Sequence, residues 1–276
     1  MAAARMKLFE AVRTHGIAII EGAPAEPDAG KVLADAMVGA VQTTAFGYKF
    51  VIKQVPDAHN LAFDTIALQQ HTDFTYLDPV PDVALFACIH NADSGGDSLW
   101  ADGFALAEEL RRADPAAFDV LTTTPVLHQD LTDKWDMRAT HPTIELGGPR
   151  GQHGRPIKRV YFNERTRDSW RQWTASGGGD GALTSEFYDA LGKFEAMADN
   201  AAWHAVTPLK PGDVVLFDNA RIMHSRNAFD GHRHMEGSYM SWDSIHATWR
   251  ALKWQARDRR PYEYCGREVG AFDGGM

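Results

Sequence analysis

The segment Leu209–Arg226, "LKPGDVVLFDNARIMHSR", decides how the chain is read. Its "KPGD" is a turn: proline pre-sets one dihedral and glycine tolerates the sharp reversal. "VVLFDN" follows as a short apolar run, which reads as a buried strand, and two more short strands lead through "EGSYMSWD". Short strands separated by tight turns point to a layered β structure.

Working outward, "MKLFEAVRTHGIAIIEG" predicts a helix ending near Gly16 and then a short buried strand, "IAII". "DAGKVLADAMVGAVQ" has apolar residues at helical spacing. From Phe46 to about Cys88 the texture changes to β-branched and aromatic runs broken by Pro, Asn, Asp and Gly. "DGFALAEELRRADPAAFDVL" predicts two helices, the first capped by Asp102 and the second begun by Pro115. "TPVLHQDL", "PTIELG", "KRVYFNER" and "WHAVTPL" read as strands, and "LTSEFYDALGKFEAMADN" as an amphipathic helix. The expected fold is β-rich α+β: a jelly-roll-like double sheet braced by flanking helices, in one domain over residues 1–276.

Composition narrows the partners. The 276 residues carry a formal net charge of −9, which argues against wrapping nucleic acid or lying on an anionic membrane. No stretch approaches the roughly 20 apolar residues that span a bilayer. The two cysteines, Cys88 and Cys265, are too few for a disulfide framework, so a reducing cytoplasm is expected. Cys88 sits in "VALFACI" and reads as a small core hydrophobe.

"HTDFTY", residues 71–76, places His71 and Asp73 two apart, on one face of a strand. His224 lies far downstream, with Arg233 nine residues later. Two imidazoles and one carboxylate are a ligand set suited to non-haem Fe(II), with one octahedral face left open. With 12 histidines in the chain, such spacings alone also arise without a metal.

Five stretches in order carry more information: "NLAFDTIALQQHTDFTY", "GGDSLWADGFALAEEL", "RVYFNERTRD", "LKPGDVVLFDNARIMHSR" and "HRHMEGSYMSWD". Through them the chain, from about residue 46 to 250, resembles the Fe(II)/2-oxoglutarate dioxygenases of the taurine-dioxygenase superfamily, and within it the γ-butyrobetaine and trimethyllysine hydroxylases. The resemblance implies a double-stranded β-helix core, with Fe(II) bound by His71, Asp73 and His224, and O2 and 2-oxoglutarate as cosubstrates. It implies that Arg233 grips the distal carboxylate of 2-oxoglutarate through a bidentate fork, with a hydroxyl hydrogen bond from Ser98. Arg226, in "HSR", faces either the site or solvent. The zinc-binding domain that some γ-butyrobetaine hydroxylases carry before the catalytic domain has no counterpart here, and homo-oligomerisation is left open.

For the substrate, the resemblance implies a cage for a trimethylammonium group at Phe46, Phe50, Phe63 and Tyr239, whose ring faces attract a cation. Asn60 and Asn163 match asparagines near the substrate's acidic group, and Phe74 stands where γ-butyrobetaine hydroxylases have Tyr. The expected reaction is hydroxylation of an unactivated C–H bond in a small, quaternary-ammonium substrate. Alternatives are the same chemistry on a sulfonate, phosphonate or free amino acid, desaturation, or a non-catalytic jelly-roll binding protein.

Overall fold

A computed structural model describes residues 2–53, 65–149, 154–168, 184–257, 263–264 and 267–268. Asn60, Phe63 and Cys265 lie outside the described residues. Nine strands build two antiparallel sheets. They are β1 (Ile17–Ile20), β2 (Phe50–Lys53), β3 (Leu68–His71), β4 (Val83–His90), β5 (Ser98–Asp102), β6 (Ala205–Thr207), β7 (Val214–Asp218), β8 (Ile222–Arg226) and β9 (His234–Met240). One sheet has the order β1-β7-β4-β9-β2 and the other β6-β5-β8-β3.

Alternation along the strands explains why β4 and β7 are apolar without a break. Val83, Leu85 and Ala87 point to one face with Val214 and Leu216, where they pack against Phe9, Val12, Ala34 and Met37 of the helices Ala2–His15 (α1) and Ala29–Val38 (α2). Ala84, Phe86 and Cys88 point the other way with Val215 and Phe217, towards Trp100 and Ile222 of the second sheet. A strand covered on both faces reads as a continuous hydrophobic run. Burying a large apolar side chain in this way stabilises by roughly 1.5–3 kcal/mol. Met223, on β8 with its side chain opposite to Ile222, joins a third cluster beneath helices Gly103–Ala113 (α3), Pro115–Thr123 (α4) and Thr184–Ala198 (α5). Both sheets are therefore backed by helices, and the space between them is left to a partly polar interior.

The helix signals hold. The Asp102 carboxylate accepts from the Phe104 and Ala105 amides, and α4 starts at Pro115 with Asp114 accepting from the Ala117 amide. Two elements go beyond the sequence reading. Asp136–Pro142 pairs with Pro125–Leu131 in a hairpin, and Trp242–Arg257 forms a further helix, the sixth α-helix among the described residues (α6). The hairpin strand, "DMRATHP", is mostly polar in residue type although Ala139 and His141 are buried, so its hydrophobic periodicity is weak. On α6, Ile245 and Leu252 are buried against α1 and the outer face of the five-stranded sheet, with Trp249 packed beside them. Among the described residues no helix is long and apolar enough to cross a membrane.

Candidate metal centre and the cavity around it

The centre is set by strand register. His224 on β8 lies directly across from His71 on β3 and from Trp100 on β5. The two imidazoles face each other with ring centres 4.2 Å apart. Nε2 of His71 lies 3.5 Å, and Nε2 of His224 3.7 Å, from the same Asp73 oxygen, Oδ1. One ligand atom from each residue falls within a 4.8 Å cluster.

The route by which Asp73 gets there corrects the simple picture of two residues on one strand face. β3 stops at His71, and Asp73 lies in the turn that follows. That turn is held from outside. The Thr72 amide donates to the Phe162 carbonyl (2.7 Å), and the Asp73 amide donates to Oδ1 of Asn219 (2.8 Å). Nδ2 of Asn219 donates to the carbonyls of Asp73 and Pro81, both at 3.1 Å. Phe74, next in line, takes a left-handed φ of 58°, uncommon for a bulky residue and tolerated where the surroundings over-determine it.

Charge states favour metal binding. Nδ1 of His71 lies 2.8 Å from the Gln69 carbonyl, which only accepts, so Nδ1 carries the proton and Nε2 keeps its lone pair. Burial drives the His224 pKa down and keeps that imidazole neutral. Burial alone would raise Asp73, but His224, His71 and the Tyr239 hydroxyl outweigh it and hold the carboxyl below its usual range. The hydroxyl of Tyr239 donates to Oδ2 at 2.8 Å, leaving Oδ1 towards the histidines. Two imidazoles and an ionised Asp, brought together from β8 and from the end of β3 with its following turn, fit a divalent transition metal.

Around this centre opens a cavity of about 650 Å³. Arg233 and Ser98 line it, and both are buried. No carboxylate among the described residues pairs with Arg233, and its Nε is buried without a partner. Burial lowers its pKa, yet a guanidinium starts so high that it remains a cation. Ser98 follows Gly95 and Gly96, both at positive φ; a side chain on Gly95 would meet the Ala228 carbonyl oxygen at 2.2 Å. Arg226 is buried and lines the cavity rather than solvent; its Nη2 donates to the Ile66 carbonyl at 2.6 Å.

The aromatic residues Phe46, Phe50, Phe74 and Tyr239 line the same cavity. Phe50 stacks on Tyr239 (5.4 Å), Phe74 meets Tyr239 edge-on (4.9 Å), and Phe46 lies 5.8 Å from Phe74. The Phe50 ring lies across its partner Gly237, where any Cβ would come within 2.1 Å of it. Asn163 also lines the cavity, but its amide spends contacts on the protein: Nδ2 donates to the Thr72 carbonyl (3.4 Å) and Oδ1 accepts from the Arg165 amide (3.2 Å).

Sequence reasoning missed three residues. Asn219 grips Asp73 from 146 positions away, a separation no local pattern reveals, although it sits in the matched "FDN". Trp135, from the hairpin, meets Phe46 edge-on at 5.4 Å, and its Nε1 donates to Asp130 at 3.0 Å. Gln70 bonds the Ser225 hydroxyl (2.9 Å), tying β3 to β8 beside the histidines.

The sequence matches the family described as taurine catabolism dioxygenase TauD, TfdA family over residues 2–239, and the chain belongs to it. It is 31% identical over 257 residues to γ-butyrobetaine dioxygenase of Homo sapiens, covering 90% of this chain and 62% of that protein. It is 26% identical over 250 residues to the mitochondrial trimethyllysine dioxygenase of Gallus gallus, covering 88% of this chain and 56% of that one. The chain thus spans about three-fifths of the length of these relatives. In fold it is similar to a taurine dioxygenase from Burkholderia xenovorans, with a TM-score of 0.62 at 13% identity over 86% of this chain and 81% of the other.

Proposed function

We propose that this protein is an Fe(II)- and 2-oxoglutarate-dependent oxygenase that hydroxylates an unactivated C–H bond of a small quaternary-ammonium compound. The observation that carries the reading is a buried guanidinium, Arg233, with no carboxylate partner among the described residues, in the same cavity as His71, Asp73 and His224. A buried cation costs free energy unless something pairs with it. The carboxylate of a cosubstrate is such a partner, and the metal-binding set His71, Asp73 and His224 in the same cavity is what favours catalysis over a non-catalytic binding role.

His71, Asp73 and His224 would hold Fe(II), and Arg233 with Ser98 would hold 2-oxoglutarate; bound together with O2, these supply the oxidising power. The protein's own part is to position and to exclude water. Asn219 and Tyr239 fix the Asp73 carboxylate, and Phe86, Trp100 and Phe217 pack around the His224 ring. Phe46, Phe50, Phe74, Tyr239 and Trp135 present ring surface that suits a methylated cation, which has no hydrogen bonds to lose on leaving water. Phe63 and Asn60 belong to the same proposal on sequence resemblance. The names of the relatives, γ-butyrobetaine dioxygenase and trimethyllysine dioxygenase, support this substrate class.

The two antiparallel sheets are read as a double-stranded β-helix, and residues 1–276 as a single catalytic domain. Cytoplasmic residence is part of the same reading, supported by a cysteine count of two, too few for a disulfide framework.

The test is to add Fe(II) and 2-oxoglutarate anaerobically, look for a visible metal-to-ligand absorption, and then measure succinate with a panel of quaternary ammonium compounds under air. The expected result is absorption plus succinate coupled to a mass gain in one panel member. Absence of the absorption refutes the cofactor assignment, and absorption with no panel turnover refutes the substrate class.

A further inference from the structure

The turn that carries Asp73 is held at its near end through the Thr72 and Asp73 amides, and at its far end by side chains of other segments. Thr75 is fully buried, and its hydroxyl oxygen lies 2.7 Å from that of Thr166. Oγ1 of Thr166 also lies 3.2 Å from Nδ1 of His128 and 3.3 Å from the Asn163 carbonyl oxygen. His128 belongs to the hairpin strand Pro125–Leu131. The other hairpin strand holds His141, whose Nε2 lies 3.0 Å from the Leu77 carbonyl oxygen. The Leu77 amide closes the turn on the Phe74 carbonyl at 2.9 Å.

Proton counting orients this network. A hydroxyl has one proton to give, and a carbonyl oxygen only accepts. With Thr166 donating to Asn163, its other two contacts are hydrogen bonds only when the Thr75 hydroxyl and the His128 Nδ1–H donate to it. That tautomer leaves the lone pair of His128 on Nε2, the ring atom that is buried without a partner. Burial keeps this imidazole neutral, so its single N–H is spent on Thr166. The Thr166 carbonyl, in turn, accepts from the Gln129 amide of the hairpin at 2.7 Å. Thr166 is therefore a fixed acceptor for Thr75.

Phe74 lies between Asp73 and Thr75, and its φ of 58° persists only where both flanks are held. We propose that Thr166 is a positioning residue for the iron ligand Asp73, its hydroxyl holding Thr75 and so fixing the left-handed step at Phe74. Without that bond the turn relaxes towards a more populated backbone conformation, and Oδ1 of Asp73 leaves the point it shares with His71 and His224.

The proposal rests on the metal assignment above, so wild type is titrated alongside the variants. Fe(II) is added anaerobically to protein with saturating 2-oxoglutarate and followed by the visible metal-to-ligand absorption. Thermal melting of the metal-free protein is measured in parallel. Thr166→Val keeps the shape and removes the hydroxyl; it should bind Fe(II) about tenfold or more weakly, the scale on which supports behind a ligand act. Thr166→Ser returns the hydroxyl and should recover affinity to within about threefold of wild type. Thr75→Val breaks the same bond from its other end, so the double variant should bind within about threefold of the weaker single variant. Wild-type affinity in Thr166→Val overturns the proposal even with a lowered melting temperature, because the hydroxyl would then serve the fold alone. Failure of Thr166→Ser to recover affinity also overturns it, as do losses that multiply in the double variant. Absence of the absorption in wild type overturns the metal assignment and this proposal together. Normal iron binding in both wild type and Thr166→Val overturns this proposal alone. Thr166 is half-buried on the cavity wall, so its single variants decide the question even where Thr75→Val does not fold.

Discussion

Tyr239→Phe separates two roles that one side chain combines. The ring is a wall of the aromatic cavity, stacked on Phe50, whereas the hydroxyl donates to Oδ2 of Asp73 at 2.8 Å. The substitution keeps the ring and removes only the donor. Tyr239 is 2% exposed, so water is not positioned to replace the lost bond. A hydrogen bond to a charged group contributes about 1.5–3 kcal/mol. Loss of such a support beneath a ligating carboxylate typically weakens metal binding by about 10–100-fold. Fe(II) affinity, measured by anaerobic titration, should fall within that range while the preference for a trimethylammonium over a tert-butyl head is retained. The pH dependence has a definite sign. Asp73 is held below the usual carboxylate range partly by this hydroxyl, so in the variant its pKa rises and iron is lost at a higher pH as the solution is acidified. Unchanged Fe(II) affinity would refute the assignment. So would a lost head preference with normal iron binding, because the hydroxyl would then act on the substrate.

Arg233→Lys keeps the charge but loses the bidentate fork; its main effect should be roughly one to two decades weaker 2-oxoglutarate binding, and unchanged affinity would remove Arg233 from the cosubstrate site. His128, 2% exposed and away from the metal ligands, has its pKa driven down to about 3 by burial, with His141 and Arg167 adding to the shift. A depressed histidine pKa means that the unfolded chain takes up a proton that the folded one refuses. Stability should therefore fall as pH drops below about 6.5, at up to about 1.4 kcal/mol per pH unit from this residue. His128→Asn should flatten that fall in denaturant melts between pH 6 and 4, and an identical pH slope in wild type and variant would show that His128 titrates normally.

Local chemistry made much of this protein legible. Asp102 and Pro115 announce helix starts because capping and a missing amide act within a few residues. "VVLFDN" and "VALFACI" announce buried strands because both of their faces must leave water. His71, Asp73, His224 and Arg233 were visible as chemical types in order, which is enough to suggest a ligand set. The helix Trp242–Arg257 was also written in the spacing of Ile245, Trp249 and Leu252, though polar neighbours obscure it.

Other facts arise only when distant segments meet. Whether Asp73 reaches the histidines depends on Asn219, on the Phe162 carbonyl and on a turn with Phe74 at positive φ, none of which a two-residue spacing encodes. Arg226 was ambiguous because β8 is buried along its whole length, and only the register of β5 and β3 beside it determines which face meets the cavity. Trp135 joins the aromatic wall because a polar hairpin folds over Phe46, and polar strands carry almost no periodic signal. Residue types and their order are set by local propensity and chemistry. The pairing of His71 with His224 across two strands, and the lack of a carboxylate partner for buried Arg233 among the described residues, are properties of tertiary packing, because a charge is paired or unpaired only by what the fold brings next to it.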